Sequence, residues 1–251
     1  MNANTQRPWF HRINILAGVL LVFTVLCIVI AGPGHRFGLL DLGHAFNLTR
    51  ASAIVSAVAA LTGLAALIIG KLGTPSKFAK MGLAALLVGL GLGLQFYSVV
   101  KTAKSVPPIH DITTNTENPP LFVDVLPLRA SAKNLPDYAG NEIAEQQKKA
   151  YPDLATISYA QNVAEVIAAA EQAAIASGWD IVAVDSDAGR LEATDTTFWY
   201  GYKDDVVVRV VSADSGSKMD VRSKSRVGQS DLGTNANRIR AFIAAISERL
   251  Q

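Results

Sequence analysis

Three long apolar runs fill most of the first hundred positions, and nothing later in the chain matches their length. They are Ile13–Gly32, Ala51–Gly70 and Met81–Val100, and none contains Lys, Arg, Asp or Glu. A helix needs about 20 apolar residues to cross a bilayer, so the pattern predicts three transmembrane helices at 13–32, 51–70 and 81–100. The first run is longer than a signal-peptide core, and no small-x-small cleavage site follows before Pro33, which favours an uncleaved span. Small residues one turn apart, Ala59 with Gly63, Ala66 with Gly70 and Gly89 with Gly93, let helix backbones approach closely. Packing of the three helices on one another is the expected use. A homo-oligomer built on the same faces is the alternative.

After position 104 the period changes. Two proline pairs, Pro107–Pro108 and Pro119–Pro120, forbid helix through 107–130. The apolar residues Ile109, Ile112, Leu121, Phe122 and Val125 mark that stretch as a strap laid over a domain. Residues 131–151 are polar and read as a flexible segment, with 141–150 either a short surface helix or a mobile loop. "LATISYA" reads as an edge strand. Val163, Val166, Ile167, Ala170 and Ala174 recur at helical spacing, Gly178 stands as the stop, and Ser158 with Gln161 fits a capping box. Four strands follow, "WDIVAVD", "RLEATDTTFWYGY", "DDVVVRVVS" and "SKMDVRSKSRV", with turns at "SDAG", "KDD" and "ADSGS". In the second of these, strand alternation would send Phe198, Tyr200 and Tyr202 to one face and Trp199 to the other, a core or ligand-stacking arrangement. Ala236, Ile239, Phe242, Ile243, Ile246 and Leu250 stripe a final amphipathic helix. The expected class is α+β: three transmembrane helices (1–104), then an antiparallel meander of four to five strands against two helices (105–251). The sheet's second face, with Arg209, Arg222 and Glu192, is either solvated or covered by the strap.

Charge divides the chain at the same place. Residues 1–104 hold nine basic residues and one acid, Asp41; the remainder holds fourteen basic and twenty acidic residues. The basic excess flanks apolar runs, so it speaks of membrane topology and not of nucleic acid. Arg7, Arg12, Lys71, Lys77 and Lys80 share one side against Arg36, Arg50, Lys101 and Lys104 on the other. The positive-inside rule then places the N-terminus in the cytoplasm and the C-terminal domain on the periplasmic side of an inner membrane. Cys27 is the only cysteine, which rules out an internal disulfide, a C-x-x-C pair and a cysteine zinc site.

"PPIHDITTNTENPPLF", "DDVVVRV" and "DVRSKSRVGQSDLGTNANRIRAF", in that order, resemble the domain-of-unknown-function family DUF1499 over Val106–Leu250. Members often carry hydrophobic spans ahead of the domain. The resemblance implies no activity, cofactor or ligand, and this chain has Asn115 where the family pattern implies Asp.

Two segments concentrate polar chemistry. Around "SRVGQSDLGTNANRIRAF", a Walker loop fails for want of the Lys-Ser/Thr pair. An anion site at the helix start remains, served by Arg226, Arg238 or Arg240, against a reading in which Ser230 or Asp231 caps the helix and the arginines pair with nearby acids. In "IHDITTNTENPP" a calcium loop fails at Thr116 and Phe122, where Gly and Glu are needed. His110 beside Asp111 is a possible acid–base pair, although neighbours on a strand point to opposite faces. The histidines left for a metal are His35 and His44; no metal site or cofactor is expected. The candidate binding surface is therefore His110, Asp111, Thr113 and Asn118 of the strap with Arg222, Ser225, Arg226, Ser230, Asp231, Asn235 and Arg238 of the loop. The expected partners are the bilayer and a protein or lipid at the envelope. The function expected is a membrane-displayed binding domain. An envelope hydrolase or lipid-modifying enzyme using His110 and Asp111, and a structural subunit of a membrane complex, are the alternatives.

Overall fold

A computed structural model describes residues 8–71 and 78–251; Arg7 and Lys77, used above for orientation, lie outside them. The chain forms two units, one of residues 1–101 with 199–201 and one of residues 102–198 with 202–251.

The first unit holds α1 (Pro8–Arg36), α2 (Leu42–Lys71) and all but the last turn of α3 (Ala79–Ser105). All three are long and apolar enough to cross a membrane, and each runs past the apolar stretch that announced it. Ala17, Ala59 and Ala85 are buried together, with Leu20 and Leu21 against them. A Cβ at Gly63 would collide with the Gly82 carbonyl, and one at Gly89 with the Ser56 carbonyl and Ala60. These glycines permit the close approach of α2 and α3. Gly93 departs from the expectation: a Cβ there would meet nothing within 4 Å. It lies four residues beyond Gly89 on a helix that has turned it outward. Two buried polar side chains return a hydrogen bond to their own helix, Thr24 to the Leu20 carbonyl at 2.9 Å and Ser56 to that of Ala53 at 2.8 Å, while the buried Asn14 Oδ1 has no partner among the described residues. Leu16, Val22, Ile54, Leu61, Leu87 and Leu94 face outward.

The second unit is an α+β domain. Its six-stranded antiparallel sheet runs β1 (Asp111–Thr113), β6 (Gly216–Ser225), β5 (Lys203–Ala213), β4 (Arg190–Thr196), β3 (Asp180–Asp185), and β2 (Ile157–Tyr159) also pairs with β6. The strand beyond the four or five expected comes from β1 and β2 sharing one edge: β1 pairs with Arg222–Lys224 and β2 with Ser217–Met219. Val206, Val208 and Val210 of β5 turn to the helix face, where α5 (Val163–Ala176) and α6 (Thr234–Arg249) supply Val166, Ile167, Ile239, Phe242 and Ile246. Val207 turns the other way and packs with Phe122 and Val125 of the strap. The strap therefore covers the sheet's second face. Leu121 does not join it and is 71% exposed.

Three local expectations need correction. The capping box of α5 is Asn162 with Glu165, and Ser158 belongs to β2. "KDD" is no turn: Lys203, Asp204 and Asp205 open β5. "TFWYGY" is no strand either, since β4 ends at Thr196 and the aromatics form the connection to β5, leaving Phe198 83% exposed. Of the two alternatives for 141–150 the structure has the helix, α4 (Asn141–Ala150). Its Gln147 side chain is buried and mimics a strand, donating to the Thr113 carbonyl at 2.6 Å and accepting from the Thr113 amide at 3.0 Å.

Candidate functional site

The strap and the 222–238 loop lie side by side. The His110 carbonyl accepts from the Ser225 amide at 3.0 Å and from Asn235 Nδ2 at 3.0 Å, and the Ile109 carbonyl accepts from the Asp231 amide at 3.1 Å. What the sequence marked as one polar surface is a set of ion pairs turned inward.

At its centre Arg222 is wholly buried. Its Nε and Nη2 donate to the two oxygens of Asp111 at 2.8 Å each, and its remaining donors meet the Pro120 and Pro136 carbonyls. The guanidinium lies 4.8 Å from the Phe122 ring centroid and 5.5 Å from that of Tyr138. Lys224 also reaches Asp111, at 2.8 Å. Burial first, and the Asp111 charge second, pushes the Tyr138 hydroxyl up to about 12; burial pulls the Lys224 ammonium down. Two cations around one carboxylate, with backbone carbonyls taking the spare donors, satisfy a charge cluster that would otherwise be costly to bury.

Asp204 and Asp205 extend the pattern to both faces of the sheet, because neighbours on a strand point oppositely. Asp205 meets Arg226 at 2.7 Å and Arg129 at 2.5 Å on the strap side. Asp204 meets Arg238 at 2.6 Å on the α6 side, where Arg238 also reaches Asp195 at 2.8 Å. Asn235 joins Ser223 and Ser225 beneath Arg238.

The start of α6 is occupied by the protein's own carboxylate. Asp231 accepts from the Gly233 and Asn235 amides at 2.8 Å each. Gly233, at φ +80°, makes the turn that only a residue without Cβ adopts freely. Burial pushes the Asp231 carboxyl up, against the lowering effect of those amides. Ser230 caps only the local turn, accepting from Leu232 at 3.2 Å. The capping reading holds. The free anion site does not, since its amides are filled and Arg226, Arg238 and Arg240 are paired, the last with Asp153 at 2.6 Å.

His110 and Asp111 do not meet. The Asp111 oxygens face Arg222 and Lys224, while His110 Nδ1 is 3.3 Å from the Gln229 carbonyl. Among the described residues no group of three His, Cys, Asp or Glu side chains is placed to hold a metal ion; His44 is engaged with Asp41. Thr113 is locked by Gln147, and Asn118 bonds Asn115 through its amide and Arg209 through its carbonyl.

The open surface lies along the outer edge of β6, where β1 has ended and β2 has not begun. Asp220 fills that break and accepts from Thr156 at 2.6 Å, Arg209 at 2.7 Å, Thr114 at 3.2 Å and Asn115 at 3.3 Å. A cleft of about 580 Å³ opens over it, lined by Asn115, Asn118, Thr156, Ser158, Arg209 and Lys218. A second cavity of about 580 Å³ shares Asn115 and Thr156 and continues toward Gln147 and Leu154. Of the candidate surface read from the sequence, Asn118 alone lines this groove. Its other visible signal was Arg209 and Lys218 on neighbouring strands, and neither strand pairing nor the break at Asp220 is written in local pattern.

A comparison with curated proteins finds no match. A family model described as a protein of unknown function, DUF1499, matches residues 111–246, from the first residue of β1 into the last turns of α6. That span is more than half of the chain and takes in the strap, the sheet, both packing helices and the groove, and the chain belongs to the DUF1499 family.

Proposed function

We propose that this chain is a multi-pass membrane protein of the cell envelope that presents its DUF1499 domain as a binding module, with the groove along β6 as the contact surface. One observation carries the reading. The groove is open, mixes polar side chains with the aliphatic Val211 and is built on a fully hydrogen-bonded carboxylate, with Lys218 exposed at its wall. Such a surface is set before a partner arrives, so little ordering cost falls on the encounter. The acid–base alternative finds no support, because Asp111 is committed to Arg222 and Lys224.

The test is photo-crosslinking of full-length protein in its native membrane. A photoreactive residue at Ser158 or Lys218 is expected to give a discrete adduct that one at Asp187, in the β3–β4 turn, does not. Equal yields at all three positions would remove the groove as the contact surface.

A further inference from the structure

The domain's two ends differ in chemistry, and the difference names a partner. At one end β5 begins and β6 finishes, with Asp204 opposite Ser225. The chain arriving from α3 is fastened here through Ile109 and His110. The turn at Leu126–Arg129 is fastened here too: the Leu128 carbonyl accepts from Arg226, and the Arg226 amide donates to the Lys203 carbonyl. The β4–β5 connection closes here with Thr197 bonded to Tyr202. This end exposes Phe198, Leu135, Leu128 and Leu232, at 83%, 72%, 52% and 36%. The opposite end carries the turns "SDAG" and "ADSGS", polar and acidic, with the aliphatic Val211 as its exposed apolar residue.

We infer that the apolar end of the DUF1499 domain is seated in the interfacial layer of the same bilayer that holds α1–α3; this rests on the membrane reading proposed above. The tether argues for lipid over any other cover. Only four residue steps separate Ser105, the last of α3, from Ile109, which is already bonded to Asp231. Extended, they span no more than about 14 Å. Lys101 and Lys104 mark where α3 leaves the apolar core, so this end is held within reach of the headgroups. Composition agrees. Lys203 and Lys133 are exposed at this end to meet lipid phosphate. The groove lies five to seven residues further along β6, roughly 16–23 Å from the interface at strand rise, and stays open to the aqueous side.

The experiment uses full-length protein in a Cys27→Ala background, reconstituted in phosphatidylcholine–phosphatidylglycerol vesicles. Single cysteines at Phe198, Leu128, Leu232, Val211 and Leu61 carry an environment-sensitive fluorophore, and nitroxide-labelled lipids act as quenchers. Labels at 198, 128 and 232 are expected to lose emission to shallow nitroxides, the label at 61 to deep ones, and the label at 211 to neither. If 198, 128 and 232 behave like 211, the interfacial seat is wrong while the spans stand. A blue-shifted but unquenched label at those three positions would mean a protein, or a second copy of this chain, covers the end, which also overturns the proposal. Failure of quenching at 61 would instead bring down the membrane reading on which it rests.

Discussion

Asp111 and His110 sit side by side in the chain and answer to different forces. Asp111 is held in a buried cluster with Arg222 and Lys224. Asp111→Ala would leave two buried cations facing each other, and loss of one partner from a buried pair costs about 3–5 kcal/mol. His110→Ala removes a half-exposed side chain with one long hydrogen bond, and its effect is expected to stay within about 0.5 kcal/mol. Thermal unfolding of the two variants in detergent checks the contrast; equal losses would mean that the strap is not held by its ion pairs. Asp231 gives a second residue-scale prediction through pH. Burial raises its carboxyl above the ordinary value of 3.8, so the folded state binds that proton more tightly than the unfolded one. Its contribution is complete below 3.8 and is lost as pH rises through the folded value. Wild-type stability should carry a falling component over the acidic range just above 3.8 that Asp231→Asn lacks, measured by denaturant midpoints at successive pH values. The sequence marked Asp111, Arg222, Asp231 and Arg238 as residues that matter. It could not say that they face inward, because Arg222 and Asp111 are 111 positions apart and the partners Asp204 and Asp205 read as turn residues.

At the scale of elements, legibility follows the range of the signal. Helices α1–α3, α5 and α6 announce themselves through length and 3.6-residue spacing. The long strands announce themselves through alternation and turn residues. The three-residue strand β1 does not, since it exists only because β6 offers an unpaired edge; β2, on that same edge, falls within the "LATISYA" read as an edge strand. The same limit explains Gly93. Small residues one turn apart flag a close approach but cannot say which pair makes it, and α3 uses Gly89 and not Gly93. Substitution separates them. Gly63→Val and Gly89→Val would drive a side chain into the Gly82 and Ser56 carbonyls, and are expected to lower the melting temperature of the detergent-solubilised protein and expose the buried Cys27 to thiol reagent. Gly93→Val, with open space around it, should do neither. Equal damage from all three would indicate that Gly93 packs against a second copy of the chain.

For the molecule as a whole, charge and hydropathy divide the chain at the same point, and orientation is the property least determined by that division. Nine basic residues and one acid lie in the first 104 positions, split five against four between the two sides. The rule that basic loops stay in the cytoplasm works through Lys and Arg near the span ends, and a folded domain crosses largely regardless of its own charge. The acidic balance of the DUF1499 domain therefore neither helps nor hinders export. The decision falls to the basic α2–α3 side, where Lys71 and Lys80 flank the spans with no acid to offset them. The resulting expectation is a cytoplasmic N-terminus and, after three crossings, a periplasmic domain. In spheroplasts carrying Cys27→Ala and Asp187→Cys, a membrane-impermeant maleimide should label the protein without lysis, while the protein pellets with membranes through an alkaline carbonate wash. Protection of position 187 until lysis would invert the orientation and leave the spans in place. Release of the chain by carbonate would instead show that the exposed leucines and valines of α1–α3 face protein and not lipid.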